Sequence, residues 1–381
     1  MITKSDVSTL RDQLARLEPP VLSLYVNVNP AQPENARKGY VIRAKNALSQ
    51  LELPEPLLQR VLANLEHDAP QTRTRVIYAA ADFMQTYDLQ VDLPNEEFRT
   101  GEAEAHWGEP YLAPLLVALD EYQPYGVVAV DEERWRFFIY RLGEIAEVAD
   151  AFRAIDSSAW RQMTEARQGT PRGVPARGGA GKDAYADRVD EWTRRFFRTV
   201  GEAVVEQVNS AGLERIMILG PEEVAKSFVE FIPEPTRSRV VRVLPGRSGQ
   251  RWGEGEILKA LEPVIPEVER EHELALLDQI AEKGLRGLSE VLQALQEGRI
   301  YQLVVPRFTQ ARVWRCSQPA FVYPSQAAAQ QLCASEISEL GLLQVLPELC
   351  AAQGVGLEFV HGEAAERLEN DFGGLAGLPR F

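Results

Sequence analysis

The sequence predicts an α/β protein built from more than one domain. A chain of 381 residues is long for a single compact fold, because domains usually hold roughly 100 to 200 residues. Hydrophobic residues make up 45% of the chain and charged residues 25%, a composition typical of globular proteins that bury full cores. Apolar strand-like segments alternate with helix-like segments along most of the sequence, which indicates mixed sheets covered by helices.

The first third, residues 1–120, predicts a small α/β domain. Its first helix carries apolar residues at helical spacing, from Val7 to Leu17. A strand over 21–28, a helix over 36–51 and strands over 75–81 and 87–93 follow. The second helix carries a basic cluster, which either contacts RNA or is simply a solvated helix face: Arg37, Lys38, Arg43 and Lys45.

The second third, residues 121–248, begins with a strand meander from Tyr125. A stretch rich in glycine and arginine follows at 169–183, and it leads into a long helix over about 184–210. Two further strands with a helix between them complete this domain.

The last third, residues 249–381, follows a predicted hinge at 245–256. A long helix interrupted at Pro263 and Pro266 opens it, and a second helix, several strands and a further helix continue it. This alternation predicts a sandwich of helices around a small sheet.

Charge limits the possible partners of the chain. The net charge of −15 disfavours non-specific binding of nucleic acid by the whole surface, DNA included. Residues 161–198 are the exception, with nine basic and five acidic residues. A glycine-rich loop with cations ahead of a helix can hold phosphate, although a solvated linker is an equally good interpretation of the pattern alone.

The residue spacing gives little support for a nucleotide-binding loop, a metal site or a disulfide framework. No nucleotide-binding loop motif occurs, and the four histidines show no metal-ligand spacing, so we expect neither cofactor nor metal. Cys316, Cys333 and Cys350 contain no CxxC pair and are expected to be reduced, mostly buried thiols. No secretory signal or membrane span is expected, which favours the cytoplasm.

Several motifs of the second and last thirds resemble the archaeo-eukaryotic class I release factor and Pelota superfamily, in particular its bacterial branch. In that family a strand meander precedes an RGGQS loop and an arginine-rich helix, and Arg177-Gly178-Gly179-Ala180 occupies the position of the loop here. The family's C-terminal domain has a VxxALxxGAV helix, which SEVLQALQEGRIYQLVV at 289–305 matches, and it ends FGGIGAILRY. This chain ends FGGLAGLPRF, with Pro379 in place of an aliphatic residue.

The resemblance implies a ribonuclease H-like middle domain and a C-terminal domain like the kink-turn-binding ribosomal proteins. It also implies a ribosome-binding factor at the aminoacyl-tRNA site, acting in hibernation or rescue, with ribosomal RNA, tRNA and a translational GTPase such as elongation factor Tu as partners. The RNA-binding residues that it implies are Arg172, Arg177, Gly178, Gly179, Ala180, Lys182, Arg188, Arg194, Arg195 and Arg198.

One departure from the family bears on catalysis. The family's catalytic glutamine, which helps to position water at the peptidyl-tRNA ester, is replaced by Ala180. A methyl group neither donates nor accepts a hydrogen bond, so a non-catalytic factor is expected. The alternative is a peptidyl-tRNA hydrolase or a tRNA-cleaving enzyme that uses another residue. Stop-codon reading is not expected, because residues 1–120 contain no decoding motif of true release factors.

Overall fold

The computed structural model describes residues 4–67, 71–93, 103–132, 134–148, 180–246 and 252–381, with the backbone alone at 4–5 and 180–190. Its contacts divide the chain into two compact units. The first unit joins residues 1–123 to residues 269–381, and the second comprises residues 124–268. None of the described helices is long and apolar enough to cross a bilayer.

The N-terminal segment of the first unit holds an antiparallel sheet with strand order β3-β2-β1-β4. Every side chain of β1 is buried, and those of α2 and α3 that face the sheet complete an apolar core. The elements are α1 (Lys4–Leu14), β1 (Val21–Asn27), a 3-10 helix (Pro33–Lys38), α2 (Gly39–Leu48), α3 (Glu55–His67), β2 (Thr74–Ala79), β3 (Met84–Leu89), β4 (Ala103–Gly108) and α4 (Ala113–Glu121).

The second unit is a mixed five-stranded sheet with strand order β7-β6-β5-β8-β9. The meander β5-β6-β7 is antiparallel, as expected from the sequence, and β8 and β9 pair in parallel. Its elements are β5 (Tyr125–Val130), β6 (Trp135–Arg141), β7 (Glu144–Glu147), α5 (Ala180–Ser210), β8 (Arg215–Gly220), α6 (Glu222–Val229), a 3-10 helix (Arg237–Arg239), β9 (Val240–Pro245) and α7 (Glu254–Leu261).

Both faces of this sheet are covered by helices. Val128 and Val130 of β5 pack on the side of α5 and α6, whereas Val127 and Ala129 pack on the side of α7. The alternation follows from the two-residue period of a strand. The second unit is therefore a three-layer α/β/α arrangement.

The C-terminal segment of the first unit contains a sheet with strand order β10-β16-β11-β15 and a smaller sheet with order β13-β12-β14. Leu303 and Val305 of β11 face α9 and α11, and Val304 faces α8 and α12. The elements are α8 (Val264–Lys283), β10 (Leu285–Arg286), α9 (Leu288–Gln296), β11 (Ile300–Pro306), β12 (Arg312–Cys316), β13 (Val322–Tyr323), α10 (Gln326–Leu332), β14 (Ile337–Gly341), α11 (Leu342–Gln353), β15 (Gly356–Val360), α12 (Gly362–Phe372) and β16 (Ala376–Pro379).

The cysteines correct one expectation from the sequence. Cys316 and Cys333 form a disulfide, with Cα atoms 5.8 Å apart, so the prediction of reduced thiols is wrong for these two. The pair was not evident because 17 positions separate the two residues, and only the fold of the small sheet brings them together. Cys350 is free and buried, and burial raises the pKa of its thiol to about 12.

The predicted helix over 36–51 is also corrected. Its first residues form the 3-10 helix, and Arg37 and Lys38 adopt left-handed φ values of 53° and 60° before α2 begins at Gly39. A β-carbon on Gly39 would lie 2.0 Å from the carbonyl oxygen of Glu34, so the tight turn requires glycine.

Candidate nucleic-acid interface

The long helix α5 is fixed to the second unit by one apolar face. Phe196, Phe197, Val200 and Val204 are buried against the sheet and α6. Phe197 packs edge-on against Phe228, with ring centroids 5.5 Å apart. The spacing of these side chains is that of a helix with a single buried stripe.

A glycine in the same stretch lets α5 approach the chain after α6. A β-carbon on Gly201 would lie 2.2 Å from the carbonyl oxygen of Phe231, closer than non-bonded atoms approach. Glycine is therefore required at this crossing, which lies one turn after Arg198 and about two turns after Arg194 and Arg195.

The arginines predicted to bind RNA point away from that buried face. Arg194, Arg195 and Arg198 are all exposed. Arg195 forms an ion pair with Glu191, one helical turn earlier, and both side chains are more than half exposed. Pairs of this kind contribute little to stability, so a stronger anion such as a phosphate can replace the carboxylate. This exposed surface is called the arginine face of α5.

The other predicted RNA-binding residues are less fully described. Arg172, Arg177, Gly178 and Gly179 lie outside the described residues, so their assignment stays a prediction. Ala180, Lys182 and Arg188 lie on the first half of α5, where only the backbone is described. The long helix itself is confirmed, and it begins four residues before its predicted start.

The basic cluster near α2 is partly used in holding its own segment. Arg43 donates a hydrogen bond of 3.0 Å to the carbonyl oxygen of Glu34 and one of 3.3 Å to that of Asn27. Lys38 likewise donates to the carbonyl oxygen of Glu66. Two of the four cations thus tie the turn before α2 to neighbouring backbone, which favours a structural role for them.

A charged network in the first unit was not predicted from the sequence. Glu121, at the end of α4, accepts hydrogen bonds from Arg270 at 3.0 Å and from Arg307 at 2.6 Å. Arg270 also lies 2.9 Å from Glu273, whose carboxylate is 3.4 Å from Nδ1 of His361. Only the Arg270–Glu273 spacing on one helix was visible in the sequence, since the remaining members are far apart along the chain.

The electrostatics of this network are dominated by burial. The side chain of Glu273 is only 1% exposed, and burial together with the nearby Glu121 and Glu269 raises the pKa of its carboxyl group to about 8. The potential ligand atoms of Glu121, Glu273 and His361 lie within 4.8 Å of one another. Two guanidinium groups already occupy the oxygens of Glu121, so we assign the cluster to an ion-pair network that joins α4 to α8 and β11.

The comparisons with known proteins connect the second unit to one family. Residues 110–264 match the family model of bacterial archaeo-eukaryotic release factor family 10. No curated protein matches this chain.

Three solved structures are similar at low sequence identity. The chain is 15% identical to Archaeoglobus fulgidus Pelota, covering 81% of this chain and 79% of that one, with a TM-score of 0.30. It is 13% identical to Dom34 of S. cerevisiae, covering 83% and 76%, with a TM-score of 0.40. The third is an archaeal Pelota from a model of the ribosome-bound protein with ABCE1, at 14% identity, covering 100% and 95%, with a TM-score of 0.40.

Proposed function

Because the chain belongs to the bacterial branch of the archaeo-eukaryotic release factor and Pelota superfamily, we propose that it is a ribosome-associated translation factor. The observation that carries the proposal is the arginine face of α5, which lies in the segment matched to the family and is held by a buried aromatic face. Exposed arginines on a fixed helix suit contacts with the phosphates of folded RNA.

The finer parts of the proposal follow the family resemblance. The protein binds the aminoacyl-tRNA site in the cytoplasm, and the loop that ends at Gly178-Gly179-Ala180 approaches the peptidyl-transferase centre. A ribonuclease H-like fold is proposed for the domain predicted at 121–248 and a fold like the kink-turn-binding ribosomal proteins for the domain predicted at 249–381. The domain predicted at 1–120 shares a compact unit with residues 269–381. The role is ribosome hibernation or rescue without ester hydrolysis.

A translational GTPase is the proposed protein partner, elongation factor Tu being one example. Dom34 is described as a termination-like factor in RNA quality control that interacts with Hbs1. Archaeal Pelota is described on the ribosome with ABCE1. Whether binding of this chain to ribosomes requires such a partner is decided by adding elongation factor Tu and guanine nucleotide to the binding assay.

The decisive experiment is co-sedimentation with bacterial 70S ribosomes. We expect the wild-type protein to sediment with ribosomes and an Arg194→Ala/Arg195→Ala/Arg198→Ala variant to bind at least about tenfold more weakly. At about 0.7 per phosphate contact, the slope of log affinity against log salt should also fall by about two. The matched control replaces three exposed basic residues of the same unit, Arg134, Lys226 and Lys259, by alanine and should bind like wild type.

The outcomes of this experiment test the arginine face and the role in translation separately. Equal binding of all three proteins would exclude the arginine face as the contact. Failure of every protein to sediment, with the GTPase also added, would exclude the translation role.

The enzyme alternative has a separate test at position 180. We expect no hydrolysis of peptidyl-tRNA by the wild-type protein, because the side chain of Ala180 offers no hydrogen-bonding group. An Ala180→Gln variant that gains activity would show that the rest of the site is intact. Hydrolysis by the wild-type protein would instead favour a peptidyl-tRNA hydrolase that uses another residue.

A further inference from the structure

A disulfide lies in a part of the C-terminal segment that has little core of its own. The small sheet comprises β12, β13 and β14 with helix α10, residues 312–341, and Cys316 and Cys333 are bonded within it. We infer that this disulfide is a redox-sensitive cross-link. Its reduction releases α10 from the small sheet, and its oxidation fixes α10 again.

The first support is how little else holds α10. Of its seven residues only Ala329 is buried, whereas the nine residues of α9 bury four. The core beneath α10 contains three buried residues, Cys316, Tyr323 and Ala329. A seven-residue helix is far too short to be stable alone in water, so its order depends on attachments.

The second support is where the disulfide attaches. Cys333 is the C-cap residue of α10, and Cys316 is the last residue of β12, the central strand of the small sheet. At its other end the helix is held by Ser325, whose hydroxyl accepts a hydrogen bond from the backbone N–H of Ala328 at 3.2 Å. Breaking the sulfur–sulfur bond therefore removes the only covalent attachment of α10 besides the chain itself.

The strands of the small sheet have separate anchors. Val313 and Val322 belong to the large core around α9 and α11. The side-chain amide of Gln296 accepts a hydrogen bond from the N–H of Val322 at 2.7 Å and donates one to its carbonyl oxygen at 2.9 Å. Loss of the disulfide should therefore loosen α10 and leave β12 and β13 in place.

The surroundings of the sulfur atoms suit thiol–disulfide exchange. Cys316 is fully buried and Cys333 is half-buried, so an external thiolate has access to Cys333. The hydroxyl of Ser335 lies 3.3 Å from Sγ of Cys316 and 3.4 Å from Sγ of Cys333, where it can donate a hydrogen bond to a departing thiolate.

The exchange has two balanced steps. The thiolate of a dithiol reductant attacks Sγ of Cys333, a mixed disulfide forms, and Cys316 leaves as a thiolate. The second thiol of the reductant then closes its own disulfide and releases Cys333, so two electrons pass from reductant to protein and the two cysteines take up protons. A small disulfide such as oxidised glutathione reverses the sequence. In the cytoplasm that we propose for this protein the pair would be open until conditions become oxidising.

Hydrogen exchange read by mass spectrometry on the full chain, with and without millimolar dithiothreitol, tests the inference. We expect amide exchange over 326–333 to become at least about tenfold faster on reduction, and exchange in β11 and β15 to change by less than about twofold. The Cys316→Ala/Cys333→Ala variant should show the fast exchange under both conditions. A Cys350→Ala variant, which keeps the disulfide, should respond to reductant as wild type does.

Two results would overturn the inference. Unchanged exchange over 326–333 after complete reduction, verified by alkylation of both thiols, would show that α10 does not depend on the disulfide. An equal rise in β11 and β15 would show that the bond stabilises the whole segment and not the small sheet alone. Neither result involves the ribosome, so the proposed function would be unaffected.

Discussion

At the scale of single residues, the carboxyl group of Glu273 is buried beside the guanidinium group of Arg270. It lies 2.9 Å from Arg270, yet burial outweighs this attraction, and the pKa of the carboxyl group is raised to about 8. The group is therefore protonated in the folded protein over a pH range in which the unfolded chain has lost the proton.

This difference makes a prediction for pH dependence. Because the folded pKa lies above the unfolded value of about 4.5, the folded state holds the extra proton between these values, and stability falls as pH rises through this window. The slope from this group approaches about 1.4 kcal/mol for each pH unit. A Glu273→Gln variant should lose that slope, which thermal unfolding between pH 5 and 8.5 would detect. The control is Glu290→Gln at an exposed position, which should keep the wild-type slope. If the stability of wild type and of Glu273→Gln fell equally with pH, the assignment of the slope to Glu273 would be contradicted.

At the scale of elements, the attachment of α5 makes the second prediction. A Gly201→Ala change should destabilise the protein by about 1–3 kcal/mol, because its β-carbon would overlap the carbonyl oxygen of Phe231. The matched control is Gly255→Ala in α7, where a β-carbon meets nothing within 4 Å, and this change should stabilise by about 0.5–1 kcal/mol. Urea unfolding measures both variants, and equal effects would show that the crossing of α5 tolerates a side chain.

Local patterns predicted most elements because their residues carry a strong period. Strand β1, the meander and α5 were expected from their apolar spacing and are present. The predicted interruption at Pro263 separates α7 from α8, whereas the one predicted at Pro266 is wrong, because α8 runs through that residue in its first turn. Strand β4 was missed because its sequence, AEAHWG, has no β-branched residue, and it is a strand only through pairing with β1.

The charged residues of the candidate site also differ in whether the sequence could predict them. The exposed arginines of α5 were visible from a charge pattern within one helix. The network around Glu121 and Glu273 was not, because Arg270, Arg307 and His361 come from three separate parts of the chain. Long-range contacts of this kind leave no signal in a single sequence.

At the scale of the whole molecule, α4 connects two distant parts of the chain within the first unit. The N–H of Tyr111, just before α4, donates to Oγ of Ser23 in β1 at 2.9 Å. Val117 of α4 belongs to the core of the C-terminal segment, and buried Asp120 accepts a hydrogen bond of 2.6 Å from the N–H of Phe359. Residues 1–123 and 269–381 therefore share a core, although 145 positions separate them.

A substitution at Asp120 should destabilise both segments of the first unit, residues 1–123 and residues 269–381. Asp120→Ala leaves the N–H of Phe359 buried without its acceptor, which should cost about 1–3 kcal/mol, and Asp120→Asn should cost less because it keeps an acceptor. Hydrogen exchange should become faster in β1 and in β15 together and stay unchanged in β5 and β8 of the second unit. Faster exchange in β15 alone would show that the two segments of the first unit unfold separately.

The discontinuous first unit also sets an order of events during synthesis. Residues 124–268 emerge from the ribosome as one uninterrupted stretch, so the second unit can fold while the C-terminal segment is still being made. Contacts between the two segments of the first unit must wait for residues 269–381, and β16, an inner strand between β10 and β11, is the last described strand of that unit in chain order. A nascent chain halted before residue 376 would thus carry a finished second unit beside an open, unpaired sheet edge that chaperones can recognise.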